Sequence, residues 1–177
     1  VTIPDLNALT LSELLQLQSR IGQEVIRRGV SRTSGSIQGE VGEALALAVY
    51  GGVLAPPGTK GYDLTDELGR KMQVKTRTLP KGVNRIFQFA PELPDFIDFD
   101  VALCIRFERE TDALEWAREY TREELMGLLS PHAKGPRLPT GRARQHGTDV
   151  TAKFRLAYEA LGGMRGEAPH PGVQRPS

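Results

Sequence analysis

The sequence predicts an α/β fold, a mixed central sheet flanked by helices, and three stretches of chain carry that expectation. Two segments, around 11–26 and 38–50, repeat apolar residues at helical spacing. The segment KMQVKTRT (71–78) alternates Met72, Val74 and Thr76 with Gln73, Lys75 and Arg77, the period of a strand with two unlike faces. The run from Val101 to Phe107 is apolar almost throughout and too short for a long helix, so it reads as a central strand covered on both faces.

The elements follow in order. Thr10 and Glu13 form a capping box, and Leu11, Leu14, Leu15, Gln18, Ile21, Val25 and Ile26 trace one helical stripe that Gly29 ends. That stripe either completes the core of its own chain or packs between subunits. The polar turn SRTSGS (31–36) precedes a helix over 38–50, whose buried face is Val41, Ala44, Leu45, Ala48 and Val49. Glu40 and Glu43 lie three apart near its start, on another face. After a loop from Ala55, a short strand is expected over 61–64, then a turn at 66–69 and the strand 71–78. RIFQF (85–89) is a weaker strand, followed by the breakers Pro91 and Pro94. ALEWAREY (113–120) alternates like an edge strand, and Thr121 with Glu124 caps a new helix over 122–129. Residues 131–147 read as a basic loop, and a last helix runs from Thr148 or Asp149 to Gly162.

The chain has 177 residues, so one domain is expected over 1–162, with 163–177 a disordered tail. No apolar run reaches the roughly 18 residues of a membrane span. The opening VTIPDLNALT has neither the basic nor the long apolar region of a secretory signal, so a cytoplasmic protein is expected. A single cysteine, Cys104, excludes an internal disulfide framework and falls where a buried hydrophobe belongs. His132, His146 and His170 are too widely spaced to form a histidine metal site. Charge is uneven: residues 1–130 carry 15 Lys and Arg against 19 Asp and Glu, whereas 131–177 carry 8 against 3. That asymmetry fits either contact with a polyanion or a solvated basic segment.

The order of the acids is the informative feature. A helix with Glu40 and Glu43 is followed by a strand with Asp63, then by a strand with Gln73 and Lys75 on one face. If the two strands form a hairpin, Asp63, Gln73 and Lys75 converge at one sheet edge and the helix adds a carboxylate. Oxygen donors of this kind suit Mg²⁺ or Mn²⁺, and a neighbouring ammonium can orient a water.

With GEVGE (39–43), GYDL (61–64), QVKTR (73–77) and the strand DVALCIRF (100–107), the chain resembles the restriction-endonuclease-like PD-(D/E)xK nuclease superfamily, in particular small bacterial members with a QxK variant. The resemblance covers about 35–130. It implies a restriction-endonuclease-like fold and metal-dependent hydrolysis of DNA phosphodiester bonds, with Mg²⁺ as cofactor and Mn²⁺ as substitute. It places Asp63, Gln73 and Glu43 at the metal, with Glu40 as the other helical candidate, and gives Lys75 the attacking water. Tyr62 stands where the pattern has Pro, and Gln73 where it more often has an acid. Tyr62 and Phe87 are expected to pack and not to stack on bases. Arg77, Lys81, Arg85, Arg142 and Arg144 are the candidate nucleic-acid contacts. Specificity is expected from loops, the basic segment or a partner protein, and a homodimer from the need to cut two strands. The competing reading is an inactive nuclease-like subunit that binds nucleic acid or serves assembly. A third is a toxin or defence nuclease silenced by another protein.

Overall fold

The computed structural model describes residues 4–32, 37–90 and 98–163. It is an α/β protein with a mixed central sheet flanked by helices. In chain order the elements are α1 (Leu11–Arg27), α2 (Ile37–Tyr50), β1 (Val53–Leu54), β2 (Leu64–Thr65), β3 (Lys71–Leu79), β4 (Ile86–Gln88), β5 (Val101–Glu108), β6 (Leu114–Thr121), α3 (Arg122–Leu128), β7 (Arg137–Pro139), α4 (Thr140–Gln145), β8 (Thr148–Asp149) and α5 (Thr151–Gly162). The main sheet has the order β1-β2-β3-β5-β6-β8, and β4 pairs with β7 in a separate ribbon. Within the main sheet only β3 and β5 run parallel.

β5 is central, as its apolar run predicts. It is buried from Val101 to Phe107, and its side chains feed two cores. One face meets α2 and α5 through Leu103, Ile105, Val74, Leu45 and Phe154. The other meets β4, β7, α3 and α4 through Ala102, Cys104, Phe87, Phe89, Trp116 and Tyr120. Burial among these side chains holds the Cys104 thiol as a protonated hydrophobe, its pKa pushed up.

α2 lies directly on β3 because Gly42 lets it. A Cβ there would collide with the Thr76 hydroxyl and stand 3.4 Å from Val74 Cγ1. The β2–β3 turn is tied by Asp66, whose Oδ1 accepts the amides of Leu68 (3.0 Å) and Arg70 (2.8 Å), while Arg70 Nε donates to Oδ2 at 2.7 Å. Gly69 supplies the left-handed residue of the turn at φ 78°. The knot sets the register Leu64↔Met72.

Several expectations need correction. Residues 131–147 are not one loop: β7 and α4 lie within them, and Leu138, Thr140 and Ala143 are buried. The last helix starts at Thr151, because Thr148 and Asp149 first pair with β6. The strand expected at 61–64 begins at Leu64, and β1 was not foreseen. ALEWAREY is a strand, with a bulge near Arg106 that turns Leu114 and Trp116 to opposite cores. α1 has its capping box, yet buries none of its residues against the rest of the described chain. Leu11 and Leu15 are 73% and 57% exposed. No helix among the described residues is long and apolar enough to cross a membrane. Most of the SRTSGS turn, Pro91, Pro94 and all but the first residue of the expected tail lie outside the described residues.

Candidate functional site

The site lies where β2 parts from β3. β2 pairs with β3 only at Lys71 and Met72, so from Val74 onward β3 has no strand partner on that side among the described residues. Asp63 stands at this point. Its amide donates to the Met72 carbonyl at 2.8 Å, and its Oδ2 accepts the Val74 amide at 2.6 Å. Asp63 therefore brackets Gln73, its main-chain amide held on one side and one carboxylate oxygen on the other. Its Oδ1 has no hydrogen-bond donor among the described residues.

Burial raises the Asp63 pKa, opposed by the Val74 amide and by the charges of Lys75 and Arg32. Gln73 is 6% exposed, and its Oε1 is buried with no hydrogen-bond partner among the described residues. An orphaned amide oxygen in the protein interior is costly unless something electropositive meets it. Lys75, two residues on and on the same strand face, lies with its Nζ 5.7 Å from the centre of the Phe89 ring.

α2 delivers the second carboxylate. The Glu43 pKa is raised, first by burial and then by the negative charge of Asp63, so the two acids stand within electrostatic reach of each other. Arg32 offsets them: its Nη2 bonds Glu43 Oε2 at 2.6 Å and its Nη1 bonds the Ala55 carbonyl at 2.6 Å. Glu40 faces the same residue and accepts the Arg32 amide. Glu43 is thus the helical acid coupled to Asp63, while Glu40 closes the turn before α2. Arg32 was not among the residues expected here.

Asp63, Glu43 and the Gln73 amide oxygen are the groups that could supply a donor set for a hard divalent cation. Among the described residues no three Asp, Glu, His or Cys side chains gather into a metal-ligand group, so Gln73 is needed to complete it. The oxygen chemistry fits Mg²⁺ or Mn²⁺, and the unpartnered Gln73 Oε1 is the observation that fits it best.

The basic candidates separate into two groups. Arg77 and Arg85 line one cleft beside the site. Lys81 is exposed on the turn before β4 and lines no part of it. Arg142 and Arg144 lie on α4, where Arg142 donates to the Leu128 carbonyl at 3.1 Å and Arg144 stands 3.5 Å from Glu115. Arg137 likewise donates to Gln88 Oε1 at 3.0 Å. The segment's arginines thus tie elements together. Phe87 is buried and Tyr62 partly so, both against the second core. No known protein family and no curated protein matches this chain in sequence.

Proposed function

We propose that the chain is a metal-dependent nuclease that hydrolyses DNA phosphodiester bonds, with its site on the restriction-endonuclease-like pattern. One observation carries the reading. Asp63 is held by the backbone on either side of Gln73, whose buried Oε1 has no partner, with Lys75 and Glu43 in electrostatic reach of the same carboxylate. Asp63, Glu43 and Gln73 would hold the ion. When bound, Mg²⁺ or Mn²⁺ supplies Lewis-acid polarisation of the phosphodiester.

The remaining roles belong to the chain. Lys75 orients a water for in-line attack at phosphorus and offsets the negative charge that grows on the phosphoryl oxygens. The raised carboxyl pKa values of Asp63 and Glu43 disfavour both charges together, a conflict that a bound cation relieves. Arg32 holds Glu43 in place through its Nη2.

A second reading, an inactive nuclease-like subunit, draws on two facts. Arg32 already neutralises Glu43, and an amide stands where a further carboxylate would strengthen metal binding. One experiment separates them. Wild type and Asp63→Ala are incubated with Mg²⁺ or Mn²⁺ and a panel of duplex, nicked, branched and single-stranded DNA and RNA. Metal-dependent cleavage that Asp63→Ala abolishes supports the nuclease. A wild type that binds DNA but neither takes up Mn²⁺ by calorimetry nor cuts any substrate, alone or with a cellular partner, supports the binding subunit.

A further inference from the structure

Beyond Asp63 the open edge of β3 continues into a cleft of about 380 Å³. Thr76, Arg77, Thr78 and Leu79 of β3 form its floor, with Gln38 and Gly39 at the start of α2 on one side and Arg85 and Ile86 on the other. Arg109, just past β5, closes the end. The lining includes three arginines and no acid, and among the described residues none of the three makes an ion pair.

Each arginine is mounted through groups that leave guanidinium donors over. Arg77 donates only its Nε, to the Ile86 carbonyl at 2.9 Å. Arg85 is anchored by its backbone, since its amide donates to Thr140 Oγ1 at 3.0 Å and its carbonyl accepts the Thr140 amide at 2.8 Å. Thr140 is fully buried, so the mount is rigid. Arg109 is held by its amide on the Leu79 carbonyl at 3.0 Å and by one Nη2 contact to the Thr78 carbonyl at 3.3 Å.

The floor adds backbone groups, whereas the hydroxyl oxygens of Thr76 and Thr78 are buried, that of Thr76 against Gly42 of α2, and have no hydrogen-bond partner among the described residues. Because the Met72 carbonyl and Val74 amide face Asp63, strand alternation turns the backbone of Thr76 and Thr78 to the same outer edge.

We infer that this cleft is a phosphate-binding subsite that seats a polynucleotide phosphate one step along the strand from the group beside Lys75. Three guanidiniums without an ion pair among the described residues, in a lining with no acid, match the several oxygens and the charge of a phosphate, and arginine is the side chain best shaped for it. Lys75 and Arg77 are two residues apart, roughly 7 Å along an extended strand, so cleft and site form one continuous track. An acidic peptide added as a strand is the competing occupant. Three arginines and no acid in the lining favour the phosphate, which brings several charged oxygens to one place. The inference rests on the nuclease reading for the meaning of the site, not for the cleft itself.

The test is binding without metal. Fluorescence anisotropy in EDTA measures full-length wild type, Arg85→Ala, Arg109→Ala and Arg77→Lys on short 3′-labelled single strands and duplexes, with and without a 5′-phosphate, over a salt series. Each alanine variant is expected to weaken binding about tenfold and to lower the salt slope by about one phosphate. Arg77→Lys keeps the charge and loses the fork, giving a smaller loss. Dependence on the 5′-phosphate identifies a terminal phosphomonoester, and indifference to it a backbone phosphodiester; both support the subsite. Unchanged affinity and slope in both alanine variants, with unchanged melting temperature, overturns it, as does tighter binding to poly-glutamate than to DNA. Asp63→Asn run in parallel separates the two ideas. If it retains metal-dependent cleavage while the arginine variants lose binding, the nuclease site is wrong and the subsite stands.

Discussion

Asp63 stands in for a backbone carbonyl toward Val74. Its main-chain amide meets Met72, its side chain meets Val74 at 2.6 Å, and the ladder that β2 abandons is carried one residue further by a carboxylate. A group doing a structural task in a buried place is also the group with the strongest claim to chemistry here, and the two roles can be pulled apart by substitution.

Asp63→Asn keeps an oxygen for the Val74 amide and removes a half-buried charge. Stability at neutral pH is expected to rise, since burial already disfavours the charged form of Asp63. Mn²⁺ affinity is expected to fall at least about tenfold with the loss of a charged ligand. Thermal melting and calorimetry on one preparation read both. A less stable variant with unchanged metal binding refutes the dual role.

The same burial sets the sign of the pH dependence. Asp63 and Glu43 have raised pKa values in the folded chain, so between about 4, where the unfolded groups titrate, and their folded pKa values the native state binds more protons. Their contribution therefore weakens stability as pH rises through that window. Asp63→Asn should flatten this part of the stability-pH curve, and saturating Mn²⁺ should reverse it. Urea midpoints across the range measure it, and a slope identical in wild type and variant counts against the raised Asp63.

Lys75→Ala is expected to leave Mn²⁺ affinity unchanged or slightly higher, because a nearby positive charge repels the ion. The cleavage step should slow about 10²-fold or more, the range for assistance to an attacking water. Single-turnover rates at saturating metal separate this from a binding defect. A loss that vanishes at high metal would make Lys75 a positioning residue.

Gly42→Ala tests the seating of α2. The new methyl meets the Thr76 hydroxyl, and overpacking of this kind costs about 1–3 kcal/mol, beyond the roughly 1 kcal/mol that alanine regains as a helix former. Combined with Thr76→Ala the cost should fall sharply. Additive losses in the double-mutant cycle would mean that the helix had moved elsewhere.

Much of this was legible locally. The Met72/Val74/Thr76 alternation, the Val101–Phe107 run and both capping boxes are properties of neighbouring residues, so β3, β5, α1 and α3 follow from them. The helix acid, strand acid and Gln-x-Lys order led to Asp63, Glu43 and Lys75, and the fold brings Glu43 and Lys75 each into electrostatic reach of Asp63. What escaped is tertiary. β1, β2 and β8 are two residues long and have no period to read. α4 was hidden by Gly141 and its basic character, and its burial depends on Trp116 and Tyr120, distant in sequence. Arg32 gave no local sign, since its partners Glu43 and Ala55 come from separate elements. Arg109 was likewise invisible, because β5 must run beside β3 before the residue following it meets Thr78.

The unpaired flank of β3 also bears on solubility. A strand edge offering free amides and carbonyls is a template for a second chain, and natural proteins deter such pairing by placing charge on it. Lys75, Arg77 and Arg109 occupy this flank or its end, so the cations that would greet a polyanion also keep two copies from zipping together. Substitutions that erase charge here carry an aggregation hazard unrelated to any ligand, whereas arginine-to-lysine changes preserve the mutual repulsion. A concentrated sample stripped of these charges would form edge-to-edge β-assemblies, detectable by thioflavin fluorescence, from an otherwise correctly folded monomer.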